Sequence, residues 1–191
     1  MESKILYFGY GANSQIEMME AITGNKNLVG QPGVLRGFKL CVQRMSQIPD
    51  SISPNSPEPV SPKRIIKANW PDSFETYIIK SGNESDEVEG TVWELTPLER
   101  EFVRDWELVD FGWYKDIKGK AVTTDGQEID IQTEGLREGQ EVDREINGKN
   151  YKPFLNPIGD FQRVAEKARK EYLERVRIQE GVPAGKESSA T

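Results

Sequence analysis

A helix start is written into the middle of the chain at Thr96-Pro97-Leu98-Glu99. Thr96 supplies the N-cap oxygen, Pro97 suits the first helical position, and Glu99 closes a capping box. The spacing predicts a helix reaching Trp106 or Glu107, with Leu98, Phe102 and Trp106 facing the core. The fixed start also orders its flanks. Glu87 to Leu95 reads as a strand running into the cap. Strands are expected after the helix at about 112–118, 120–124 and 128–133, the last two joined by the hairpin turn Asp125-Gly126.

Toward the N-terminus, Ile5-Leu6-Tyr7-Phe8 is a short apolar run ending in Gly9-Tyr10-Gly11-Ala12-Asn13-Ser14. It reads as a buried strand entering a tight turn. A helix is expected over 14–23, with Asn13 or Ser14 as N-cap, Gly24 as C-terminal stop, and Ile16, Met19 and Ile22 on one face. Residues 38–43 alternate as a half-buried strand, and Phe74 to Lys80 reads as another. Between them, Pro49 to Pro62 is rich in proline and serine and reads as an exposed insertion, placed at about 46–64. Asn147-Gly148 offers a second hairpin turn, and Asp160 to Gln179 an amphipathic helix with Phe161, Val164, Ala168, Tyr172 and Val176 on one stripe. Hairpins with a few helices predict an α+β fold, one domain over 1–180, and a disordered polar tail at 181–191.

Composition narrows the chemistry. The chain has no histidine, so Ser-His-Asp and Cys-His nucleophile machinery, His-ligated metals and an imidazole pH switch are all excluded. Acid–base work falls to a carboxylate, lysine, tyrosine, cysteine or water. A net charge of −7 without a basic cluster argues against nucleic acid as a partner. The single cysteine suits a reducing compartment, and no apolar run is long enough to cross a bilayer. A soluble cytoplasmic chain without a targeting segment or membrane association is expected.

Two places could carry chemistry. The glycine turn leads into a helix N-terminus, where free N–H groups and the positive dipole end could hold a carboxylate or phosphate. It equally fits a plain chain reversal. Glu107 falls in the last turn of the capped helix among Trp106, Leu108, Val109, Phe111 and Trp113. The helix dipole and desolvation would both raise its pKa toward that of a general acid–base, although a solvated helix-end glutamate has the same local sequence. Asp125, Glu128 and Asp130 read as a solvated hairpin tip. Cys41, on the polar phase of its strand, reads as a packed or idle thiol.

These pieces, in this order, resemble the γ-glutamylcyclotransferase family, including its AIG2-like and γ-glutamylamine cyclotransferase relatives. Tyr7 to Ser14 is similar to the family's strand followed by Tyr-Gly-Ser-Asn, with Ala12 in place of the usual serine. Leu35-Arg36-Gly37-Phe38-Lys39-Leu40 is similar to its Leu-x-Gly-Tyr-x-Leu strand, and Val88 to Trp93 to its Val-x-Gly-x-Val-Tyr/Trp strand. Trp106-Glu107 falls where the family places its catalytic glutamate, and Gly112-Trp113-Tyr114-Lys115 matches the strand that follows. The resemblance implies a small, mixed or antiparallel barrel-like sheet with flanking helices. It also implies cleavage of a γ-glutamyl amide to 5-oxoproline and a free amine, as in glutathione metabolism, by a monomer or homodimer without metal or cofactor. Glu107 would be the acid–base, with Tyr10, Gly11, Ala12, Asn13 and Tyr114 around the substrate. The alternatives are a non-catalytic small-anion-binding protein on the same fold, or a related amide hydrolase or acyltransferase.

Overall fold

The computed structural model describes residues 3–181; the tail expected over 181–191 lies outside them except for Gly181. Eight strands and four helices follow one another as β1 (Ile5–Gly9), α1 (Ile16–Thr23), β2 (Val29–Arg36), β3 (Phe38–Arg44), α2 (Pro62–Asn69), β4 (Glu75–Ser81), β5 (Glu87–Leu95), α3 (Pro97–Trp106), β6 (Tyr114–Thr123), β7 (Glu128–Leu136), β8 (Arg144–Ile146) and α4 (Ile158–Gln179). Five strands close a barrel in the order β1-β5-β2-β6-β7, and β4-β3-β8 form a separate three-stranded sheet. The α+β class and the barrel-like sheet are therefore as expected. Closure depends on one parallel bridge, Tyr7 to Gln132, between the first and last barrel strands. None of the described helices is long and apolar enough to cross a membrane.

β1 is buried on both faces, because successive side chains point to opposite sides of a strand. Tyr7 enters one apolar cluster with Met18, Met19, Trp93 and Phe102, while Phe8 enters another with Leu35, Val88, Val92 and Ile131. β3 does the same, with Leu40 and Val42 in one cluster and Cys41 in the other. The polar face expected at Cys41 does not exist. The thiol is fully buried, and desolvation lifts its pKa to about 11, leaving it protonated. Gln43, two residues on, is also buried, donating to the Glu141 carbonyl at 2.8 Å and accepting from Trp113 Nε1 at 2.9 Å.

The α3 capping box forms as the sequence requires: Glu99 N–H donates to Thr96 Oγ1 at 3.2 Å, and Thr96 N–H to Glu99 Oε2 at 2.8 Å. Its buried face is different. Leu98 is exposed, whereas Arg100, Phe102 and Val103 are buried. The helix turns Arg100 inward because β6 and β7 carry its partners: Asp116 at 3.0 Å, Gln132 at 3.2 Å and Glu134 at 2.5 Å.

Other expectations shift locally. Residues 11–14 form a 3-10 turn and α1 starts only at Ile16, capped by Gln15 without a side-chain bond. Asn13 and Ser14 are engaged elsewhere, and Ile16 is exposed while Met19 and Ile22 are buried. The strands expected at 112–118 and 120–124 are the single strand β6, paired with β7 across Asp125-Gly126. Asn147-Gly148 turns no hairpin; β8 pairs with β3, and the Gly148 carbonyl accepts from Glu89 N–H. α2 follows the irregular proline-rich segment, with Ser61 as N-cap and Pro62 at the first helical position. α4 buries Phe161, Val164 and Ala165. Tyr172 on the same helix meets Phe102 edge-on at 5.5 Å.

Candidate active site

Where β1 ends, the chain folds back so tightly that a Cβ on Gly9 would collide with the Asn13 carbonyl. Gly11 follows at φ +58°, the left-handed region that side chains other than glycine's resist. The turn is pinned from three sides. Trp93 Nε1 donates to the Asn13 carbonyl at 2.8 Å, Thr91 Oγ1 to the Ser14 carbonyl at 2.9 Å, and Ser14 Oγ to the Gly11 carbonyl at 2.7 Å. Gly9→Ala is expected to displace Asn13 and lower Tm by roughly 5 °C, from the cost of overpacking and the size of the domain. A melting curve matching the parent's would contradict this.

With its backbone held, Asn13 reaches two groups through Nδ2. It donates to Glu107 Oε1 at 2.6 Å and to Tyr7 Oη at 3.0 Å. Tyr7 Oη in turn donates to Glu134 Oε2 at 3.0 Å, and the other Glu134 oxygen faces Arg100 Nη1 at 2.5 Å. A chain of polar groups thus runs from buried Arg100, Glu134, Tyr7 and Asn13 to half-buried Glu107 at the cavity wall. Arg100 and Glu134 are 2% and 1% exposed, so their charges must compensate each other.

Glu107 stands at the C-terminal end of α3, where its N–H closes the last helical bond to the Val103 carbonyl and Leu108 turns away at φ 51°. Burial, and then the negative charge of Glu134, push its pKa up to about 8, against the Asn13 hydrogen bond and Arg100. Burial raises the Glu134 carboxyl too, but Arg100 and Tyr7 pull it back. Among the described residues Glu107 has Asn13 alone as donor, which makes it the carboxyl of the pair better suited to hold a proton.

A cavity of about 150 Å³ opens beside this chain. Glu107, Tyr10, Gly11, Ala12, Asn13 and Tyr114 all line it, so the six residues singled out from the sequence lie around one space. Their hydrogen-bonding capacity differs from expectation. Gly11 N–H donates to Tyr151 Oη at 2.9 Å, and Tyr151 Oη donates to the Glu89 carbonyl at 2.7 Å, so the Gly11 amide is already engaged. The next amide of the turn, Ala12 N–H, has no hydrogen-bond partner among the described residues and is open to a ligand. Tyr10 Oη donates to the Glu134 carbonyl at 2.9 Å and Tyr114 Oη to the Tyr77 carbonyl at 2.7 Å, so both rings are walls whose hydroxyls are held in place.

Sequence reasoning misses Tyr7, Glu134 and Arg100. Glu134 lies in β7 beyond the expected strand end at 133, and Arg100 reads as one more charged surface position of α3. The alternation of β7, with Ile129 and Ile131 leading to Thr133, gives no sign that Glu134 on the opposite face is also buried.

No protein-family model matches the chain, and no curated protein does. Solved structures do. An uncharacterized protein from Homo sapiens superposes with a TM-score of 0.55 at 22% identity, covering 100% of this chain and 92% of that one. A γ-glutamyl cyclotransferase superposes with a TM-score of 0.55 at 21% identity, covering 99% of this chain and 92% of that one. The chain has the γ-glutamyl cyclotransferase-like fold.

Proposed function

We propose that the protein is a γ-glutamylcyclotransferase-like enzyme that cleaves a γ-glutamyl amide to 5-oxoproline and a free amine. One observation carries the reading: a cavity-lining carboxyl of raised pKa, Glu107, is held 2.6 Å from Asn13 of the glycine turn. The substrate's α-amine attacks its own γ-carbonyl carbon, a C–N bond forms, and the bond to the leaving amine breaks. Both reacting groups belong to one molecule, so folding it within the cavity supplies much of the acceleration. Glu107 takes one proton from the ammonium so that the neutral amine can attack, and returns it to the departing nitrogen. The second proton, shed as the lactam N–H forms, also ends on the released amine, which leaves as its ammonium, so no net proton is consumed at the enzyme. Ala12 N–H faces the developing oxyanion or the substrate α-carboxylate. Neither histidine nor metal is called upon.

The test is product identity. Incubation with γ-glutamyl amides should release 5-oxoproline; free glutamate instead would mean hydrolysis and would overturn the cyclising step. A pH profile adds a second check. Only ionised Glu107 can accept the ammonium proton, so kcat/KM should rise about tenfold per pH unit up to about pH 8 and level there. A limb near the ordinary carboxylate value of about 4.3 would mean that the essential base is not held at the raised pKa that burial gives Glu107.

A further inference from the structure

The cavity extends beyond the reacting groups into an aromatic chamber. Trp106, adjacent to Glu107, meets Phe161 of α4 edge-on with ring centroids 6.3 Å apart. Phe161 contacts Trp70 at 4.7 Å, and Trp70 contacts Phe74 at 5.2 Å. Ile65 and Val164 line the same space.

Each charged residue lining this chamber and its mouth already has an opposite charge beside it. Arg175 pairs with Asp105 and, at 3.4 Å, with Glu58. Lys167 faces Glu171 at 3.7 Å, and Glu75 is paired with Arg144 at 3.0 Å. A charged group entering here would break an existing pair or lie unpaired among aromatic rings, and both are costly.

We propose that this chamber is the leaving-group subsite and that it selects γ-glutamyl amides whose departing amine carries an uncharged apolar tail. The inference rests on the cyclising reading above. It places the γ-glutamyl half against Glu107 and the glycine turn, and the tail against Trp70, Phe74 and Phe161. Amino-acid leaving groups are disfavoured because their carboxylate finds no free cation among the described residues of the chamber. Diamine leaving groups are disfavoured because each acidic residue there already has a cation beside it.

Three γ-glutamyl amides of similar length test this: the isopentylamide, the 4-aminobutylamide, and the amide of 4-aminobutanoate. Their leaving nitrogens are all primary alkyl amines, so the comparison reads the tail. On the wild-type protein, kcat/KM for 5-oxoproline release should be at least tenfold higher for the isopentylamide than for either charged amide, in the range a hydrophobic pocket discriminates. A smaller preference, or a charged amide ahead, overturns the inference while leaving the cyclisation intact. Absence of 5-oxoproline from all three, and from γ-glutamyl-alanine, overturns the cyclising reading and the inference with it. Half-buried Ile65 provides an independent check without opening the core. Ile65→Glu should shift the ratio of 4-aminobutylamide to isopentylamide turnover at least tenfold toward the diamine; an unmoved ratio would place the tail elsewhere.

Discussion

Glu107→Gln is expected to lower kcat/KM for 5-oxoproline release about 10³-fold, the middle of the range for a positioned acid–base group. The amide keeps the size of the carboxyl and can still present an oxygen to Asn13 Nδ2, so the turn and the cavity should persist. What it loses is the ability to move a proton. The same variant should be the more stable protein at neutral pH. Burial raises the Glu107 carboxyl to about 8, so the folded state holds a proton that the unfolded chain releases near 4.3. Stability linked to this group is complete below about pH 4 and is lost as pH rises toward 8. Glutamine has no such loss. At pH 8 the variant should therefore exceed the wild type by a few kcal/mol in stability, since a tenfold change in proton affinity is worth about 1.4 kcal/mol. Near pH 4 the two should coincide. Equal melting temperatures at both pH values would mean that the folded protein does not resist ionising Glu107. Undiminished turnover would exclude it from the mechanism.

That a carboxyl could stand in such surroundings is partly legible in the residues. Thr96, Pro97 and Glu99 fix where α3 begins, and counting from there puts Glu107 at its end among apolar neighbours. The glycine turn is legible as a turn, and Asp125-Gly126 as a hairpin. The resemblance to a known family joins the two distant segments, which spacing alone could not do. The main cause of strain on Glu107 is only half visible. Desolvation follows from its apolar neighbours, but the charge of Glu134 comes from β7, and no local pattern shows which strand closes a barrel against β1. Arg100 is hidden for a related reason. A charged residue on an amphipathic helix is assigned to the solvent side unless its partner is known, and here that assignment also rotates Leu98 wrongly into the core. α2 escapes because it is eight residues long and follows directly on proline-rich chain. Gly11 N–H reads as free because Tyr151, which takes it, lies 140 residues away.

The buried pair makes the second large prediction. Glu134→Gln leaves Arg100, 2% exposed, without its nearest anion, and Asp116 at 3.0 Å is too open to solvent to replace it. Removing one partner of a buried ion pair costs about 3–5 kcal/mol, so Tm should fall by roughly 10 °C in a chain of this size. Arg100→Met should cost a similar amount by stranding Glu134. The double variant Arg100→Met/Glu134→Leu leaves no unpaired charge, and it should recover much of the loss. Additive losses in the double variant would mean that the two side chains do not act as a pair. Glu134→Gln carries a second consequence at a distance. It removes the anion that helps raise Glu107, while glutamine can still accept from Tyr7. The acidic limb of the kcat/KM profile should therefore move below about pH 8, toward the ordinary carboxylate range. A merely structural role for Glu134 would lower Tm and leave that limb in place. Movement of the limb would identify the Arg100–Glu134 pair as what tunes the proton affinity of Glu107.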